Sequence, residues 1–198
     1  MTKPSARDEV LRRALECFLR FGYARTAMQD IAVASGLSRQ GLYHHFANKE
    51  ELFEALSEAS NGWTLRAAED ACTRARADGL PFESVIGATL YARLGSMYIR
   101  LGTSPEQAEF VDQSLRRCSH IIARYADLFH GLMTRIVEEE IAAGRLTLAD
   151  DVSAAELAES LAAFARGVNA RVPPPRPEAL LDLYTRGAAL VLRGTTVH

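Results

Sequence analysis

Apolar residues recur at spacings of three and four along almost the whole chain, the period of amphipathic helices, and no run alternates with the period of two that marks a strand. An all-α chain is the result. Ser5 with Asp8 opens a first helix whose apolar side is Val10, Ala14, Cys17, Phe18 and Phe21, and Gly22 ends it. Thr26 with Gln29 reads as a capping box for a second helix from Ala27, with Met28, Ile31, Ala32 and Ala34 as its apolar side. Gly36, free to adopt positive φ, closes it, and Leu37 fills the corner. Ser38 is a strong N-cap type, so a third helix runs from Arg39 to Phe46 with Leu42 and Phe46 facing inward. Asn48 with Glu51 then opens a fourth.

From Lys49 the helical pattern continues to Ala77, a rod of about 40 Å at 1.5 Å per residue, until Asp78-Gly79-Leu80-Pro81 breaks it. Phe82–Leu101 reads as one helix. Another begins near Glu106, yields around Arg117 to His120, and is succeeded by a long amphipathic helix from Ile121 to Ala143 that stops at Gly144. Ser153 with Glu156 caps a helix reaching Ala170, and a proline-rich connector, Val172 to Pro177, leads into a last helix from Glu178 to Arg193. Two short capped helices with a tight turn between them, at 26–46, are the pattern of a helix-turn-helix. We therefore divide the chain into a head, residues 1–48, and a larger helical body, residues 49–198.

Charge sharpens this division. The net charge is −2, but residues 1–49 hold eight Lys or Arg against four acids, while the remainder holds 15 against 21. A charge of +4 on residues 1–49 against −6 on the remainder points the head toward a polyanion. The three cysteines, Cys17, Cys72 and Cys118, are too widely spaced for a metal motif or a disulfide framework, and Cys17 lies on an apolar helix face. No signal peptide and no apolar run of about 18 residues is present, so a cytoplasmic protein that does not span a membrane is expected.

The outward face of the third helix carries the candidate chemistry. Arg39 and Gln40 are the side chains that pair bidentately with guanine and adenine edges, and Ser38, Tyr43, His44, Lys49 and Thr26 suit phosphate oxygens. Each taken singly is equally well a solvated surface residue; their conjunction with the caps and the turn points to DNA. Lys3, in a loose arm at residues 1–4, is a further phosphate candidate beside an arm with no role. An ordered series of motifs, Val10-Leu11, Ala14-Leu15, Phe18, Gly22-Tyr23, Thr26, Ile31-Ala32, Gly36-Leu37-Ser38, Leu42 to Phe46, Asn48-Lys49 and Glu51-Leu52, resembles the N-terminal DNA-binding domain of the TetR family of bacterial transcriptional regulators. The resemblance implies an N-terminal three-helix helix-turn-helix domain joined to a larger helical ligand-binding and dimerisation domain, about nine helices in all. Gly41 departs from the small side chain that the family often places there. Gly41 stays among the DNA-binding candidates, with backbone approach to the groove as the alternative to a side-chain base contact there.

For the body, the resemblance implies a homodimer, a double-stranded palindromic operator and a small-molecule ligand whose occupancy releases the DNA, making a repressor the expected role. The last two helices are apolar around more than half their circumference, and Leu157, Leu161, Phe164, Leu180, Leu183, Tyr184 and Val191 are assigned to the dimer interface, with core packing as the alternative. Trp63, Tyr91, Met97, Tyr98, Phe110, Phe129 and Met133 combine bulk with polar tips and are assigned to the ligand pocket, again with core as the alternative. Arg93, His120 and His130 are candidates to orient a polar ligand. No nucleophile motif, phosphate loop or metal-ligand spacing is present, so neither enzymatic activity nor a cofactor is expected. The rival reading is a helical dimer whose head binds a protein rather than a specific DNA sequence, and the salt dependence of binding separates the two.

Overall fold

Helices start where the sequence supplies caps in the computed structural model, which describes residues 5–102 and 104–196. Lys3 and Thr103 lie outside the described residues. The elements are α1 (Ala6–Phe21), α2 (Met28–Ala34), α3 (Arg39–His45), α4 (Lys49–Ala77), α5 (Phe82–Leu90), a π-helical turn (Tyr91–Gly95), α6 (Ser96–Leu101), α7 (Pro105–Ala142), α8 (Ala154–Asn169), a 3-10 turn (Pro177–Ala179) and α9 (Leu180–Thr195). The fold is all-α: among the described residues the only β-type pairing is an isolated bridge between Leu148 and Thr196.

Three capping expectations hold in detail. Ser5 and Asp8 exchange side-chain bonds at the start of α1, Ser153 and Glu156 do the same for α8, and Ser38 Oγ accepts the Gly41 amide at 3.0 Å for α3. The box expected at Thr26 and Gln29 is absent. Thr26 turns inward, 1% exposed, and α2 begins one residue later with the Asp30 carboxylate accepting the Ala27 amide at 2.8 Å. At α4, Asn48 Oδ1 accepts the Glu51 amide, but the Glu51 carboxylate reaches back to the Ala47 amide.

One long helix differs from its sequence pattern and another breaks where the pattern says it should. Phe82–Leu101 is interrupted by the π-helical turn at Tyr91–Gly95, whose wider winding shifts the register of α6 and leaves Arg93 buried. A side chain at Gly95 would press on the rings of Tyr91 and Tyr184, so the turn needs this glycine. At the yield point expected at Arg117 to His120, α7 is kinked: Cys118 leaves the helical region (φ −121°, ψ 21°), so Pro105–Ala142 is two helices joined across that residue.

The chain forms two compact units: one holds the chain through Gly62 with Leu101–Ala123, the other Trp63–Arg100 and the chain from Arg124. The head unit therefore extends beyond the boundary at residue 48 drawn from the sequence, taking in the first half of α4 and the N-terminal half of α7. Its core holds Val10, Leu11, Phe18, Ile31, Leu42, Phe46, Leu52, Phe53 and Leu56. In the body unit α9 packs on α5 and α8 around Ile86, Leu90, Met133, Leu157, Leu161, Leu180 and Tyr184.

Candidate nucleic-acid interface

α3 presents its polar side to solvent because its apolar residues are spent inward: Leu42 is 0% and Phe46 1% exposed, which turns Ser38, Arg39, Gln40, Tyr43 and His44 outward. Ser38 fixes the start of the helix through Gly41. The α2–α3 corner is set by Gly36 (φ 67°), after which the Leu37 amide donates to the Ala32 carbonyl at 2.9 Å. Arg39 and Tyr43, one turn apart, lie side by side with the guanidinium carbon 5.6 Å from the ring centroid. A Cβ at Gly41 would stand 3.3 Å from Ser38 Oγ, so this glycine also keeps the cap uncrowded.

Two of the residues assigned to phosphate are engaged inside the protein. Thr26 Oγ1 donates to the Gly22 carbonyl at 2.7 Å and is buried, so its hydroxyl is a brace between the end of α1 and the turn into α2. Lys49 directs its ammonium to the carbonyls of Tyr23 (2.6 Å) and Thr26 (2.8 Å), with a longer contact to Ala24 (3.4 Å). Burial lowers its pKa, and the nearby carboxylates of Glu50 and Glu109 oppose that shift. The ammonium also lies 4.3 Å from the Tyr23 ring centroid, a cation–π contact. The surface set that remains from the sequence assignment is Ser38, Arg39, Gln40, Gly41, Tyr43 and His44.

The turn at 22–26 is a junction that sequence patterns did not announce. Tyr23 stacks on Phe18 and meets Phe53 edge-on, its hydroxyl donates to Glu50 at 3.1 Å, and burial pushes its pKa up to about 12. From α7, Glu109 Oε1 accepts the Ala24 amide at 2.7 Å, Glu106 pairs with Arg25 at 2.6 Å, and Arg117 lies 4.9 Å from the other partner of Lys49, the Tyr23 ring. Gly22 (φ 80°) permits this, since a Cβ there would collide with the Glu109 carboxylate. Beside the junction lies a cleft of about 320 Å³ lined by Arg20, Phe21, Arg25, Asp30 and Glu106. A sequence separation of about eighty residues hides these pairs from any local motif.

Phe110 belongs to this unit as well. Its ring lies 5.4 Å from Phe53 and 6.4 Å from Phe18, so it is core of the head unit rather than a companion of the other residues assigned to a ligand. In the body unit, Phe129 and Met133 are buried in the core, Tyr91 and Tyr98 pack partly buried against it, and Trp63 and Met97 are half-buried. Arg93 is 6% exposed, donates to Thr64 Oγ1 and faces the Phe129 ring at 5.9 Å. His130 donates from Nε2 to the Ala155 carbonyl at 3.1 Å, whereas His120 is exposed.

Four of the residues assigned to a dimer interface are internal to the protomer: Leu157, Leu161, Leu180 and Tyr184 are each 0% exposed. The apolar excess on α8 and α9 is spent there because α9 lies across α5 as well as α8. Phe164, Leu183 and Val191 are half-buried, with Phe164 lying over Gly187, and Leu190 is 63% exposed.

Residues 10–56 match the family of bacterial regulatory proteins, tetR family. Over 53 residues the chain is 40% identical to the HTH-type transcriptional repressor AcnR of Corynebacterium efficiens, covering 27% of this chain and 28% of that protein. The chain thus spans little more than a quarter of the curated relatives it matches, and the match falls on the head. A TetR-family regulator from Mesorhizobium loti superposes with a TM-score of 0.72 at 16% identity over 97% of each chain. SmeT, the repressor of the Stenotrophomonas maltophilia multidrug efflux pump SmeDEF, superposes with a TM-score of 0.59 at 23% identity over 96% of this chain and 90% of its own. These similarities establish the fold for the whole chain. No helix among the described residues is long and apolar enough to cross a membrane.

Proposed function

We propose that this chain, a member of the tetR family of bacterial regulatory proteins, is a cytoplasmic transcriptional repressor that binds a palindromic operator as a homodimer and is released from it by a small molecule. The observation that carries the reading is the capped, solvent-facing row Ser38, Arg39, Gln40, Tyr43 and His44 on α3, set on a basic head. Arg39 and Gln40 read base edges; Ser38, Tyr43 and His44 hold phosphates; Gly41 lets the backbone approach the groove. One such helix reads few base pairs, so two heads on a two-fold axis are needed for a specific site.

The pairing surface is the outer side of α8 and α9, with Phe164, Leu183 and Val191 at its edge and Leu190 at its centre. The ligand lies in the body, against Trp63, Tyr91, Met97, Tyr98, Phe129 and Met133, with Arg93 as its polar anchor. A bulky, mainly apolar molecule with one polar group matches those side chains. Enzymatic activity forms no part of this reading.

Selection from a randomised duplex library, then binding titrations across salt concentrations, tests it. The expected outcome is a symmetric site bound with an affinity that falls log-linearly with salt. Recovery of no symmetric sequence, or binding insensitive to salt, overturns the proposal. A thermal-shift screen of small molecules finds the ligand, since binding to the folded state alone raises its stability by mass action.

A further inference from the structure

The first turn of α1 holds a cation that the reading row does not include. Arg7 is exposed, and its guanidinium carbon lies 4.8 Å from the centroid of the Phe46 ring. Phe46 is the residue that caps the end of α3, and it is 1% exposed, so its ring is a fixed platform. The two acids next to Arg7 in sequence are committed elsewhere: the Asp8 carboxylate accepts from Ser5 Oγ at 2.9 Å, and Glu9 pairs with Arg13 at 3.1 Å.

We propose that Arg7 is a further DNA-backbone contact, seated beside the reading helix by the Phe46 ring. A guanidinium that rests on an aromatic face keeps its in-plane N–H groups directed outward, the geometry that suits two oxygens of one phosphate. Arg39 opens α3 and Phe46 directly follows its last residue, His45, so the two mark opposite ends of a helix of roughly 10 Å at 1.5 Å per residue. Arg39 at one end and Arg7 at the other therefore bracket the helix over a length of about three base-pair rises of 3.4 Å. Arg39 reads bases, whereas Arg7 contributes a contact that is blind to sequence and fixes the register of the helix on the duplex. The inference rests on the DNA reading above and adds to it a residue from a different element.

The test uses the full chain, a duplex of scrambled sequence and a duplex selected by the wild-type protein. Arg7→Ala is expected to lower the slope of log affinity against log salt by about one per bound protomer on both duplexes, with the preference between them unchanged. Arg7→Lys, which keeps the charge, is expected to recover most of the slope. A slope unaltered in Arg7→Ala overturns the proposal. So does a loss shared in full by Arg7→Lys and accompanied by a lower melting temperature, which identifies a packing role on Phe46 alone. Wild-type protein that binds neither duplex overturns the DNA reading itself, an outcome distinct from both.

Discussion

The ammonium of Lys49, at the first position of α4, donates to the Tyr23 carbonyl at 2.6 Å, tying the rod to the turn between α1 and α2. The same ammonium serves the Thr26 carbonyl at 2.8 Å, so one side chain satisfies two partly buried backbone acceptors of the turn. Lys49→Ala is expected to destabilise the protein by about 1–3 kcal/mol, the cost of orphaning partly buried acceptors. Its salt slope for DNA binding should equal that of the wild type. A slope reduced by one, with an unchanged melting temperature, would return Lys49 to the role of a phosphate ligand.

Gly22 and Glu109 form a second tie. The Glu109 carboxylate holds the Ala24 amide at 2.7 Å and occupies the space a Cβ at Gly22 would need, while φ at Gly22 is 80°. Gly22→Ala should therefore cost about 1–3 kcal/mol for the backbone conformation and more for the collision. In a Glu109→Ala background the collision disappears and the penalty should shrink, a coupling of about 0.5 kcal/mol or more in a double-mutant cycle. Additive losses would show that the two residues act independently.

What the sequence made legible is whatever local chemistry decides. The caps at Ser5, Ser38 and Ser153, the positive φ at Gly36 and the inward pair Leu42 and Phe46 each depend on residues within a turn or two. Thr26 is no cap because Asp30, one residue beyond the expected partner, supplies a stronger acceptor to the Ala27 amide. Lys49 is ambiguous for a related reason: a lysine near a DNA-reading helix has two uses, and only packing reveals the carbonyls of Tyr23 and Thr26. Phe110 enters the head core instead of the body because a bulky residue at helical spacing does not say which core it joins. The same ambiguity hid Leu157, Leu161, Leu180 and Tyr184, whose apolar excess is absorbed by the packing of α9 on α5 and α8 of the same protomer.

Tyr43 admits a direct test of its role. Its ring sits 5.6 Å from the Arg39 guanidinium and restricts where that fork points. Tyr43→Phe keeps the platform and loses the hydroxyl, whereas Tyr43→Ala loses both. If the ring positions Arg39, Phe should preserve the preference for the selected site and Ala should relax it, alongside a loss of about 1 kcal/mol in affinity. If Tyr43 acts only through its hydroxyl on a phosphate, both variants weaken every duplex alike.

Acid should loosen the body unit through Glu140. Its carboxylate, 6% exposed at the residue level, is bonded by Arg145 at 2.8 Å and by Arg76 at 3.0 Å, and the Arg145 bond leads in holding its pKa below the ordinary glutamate range. A depressed folded-state pKa gives stability that is present above the unfolded value, about 4.3, and is lost as pH falls through the folded one. Glu140→Gln should be less stable than wild type at neutral pH, and the difference should narrow below about pH 4. A stability difference that does not change with pH would assign Glu140 a packing role only.

The pairing surface proposed for α8 and α9 can be tested apart from the core on which it sits. Leu190 is 63% exposed on α9, seven residues after the half-buried Leu183, and Gly194 comes one turn later with open space where its Cβ would be. An apolar stripe with a small residue at its end permits close approach of a second copy. Leu190→Glu places a charge in that contact and should shift sedimentation toward the monomer while leaving the melting of the monomer near that of the wild type, because the side chain is 63% exposed within the protomer. Leu161→Ala is the converse. Its side chain is 0% exposed within the protomer, so truncation should cost about 2–5 kcal/mol through an internal cavity, with assembly affected only as far as folding is. Sedimentation velocity and thermal melts on both variants distinguish these outcomes. A Leu190→Glu protein that remains a dimer would move the interface off this face of α9.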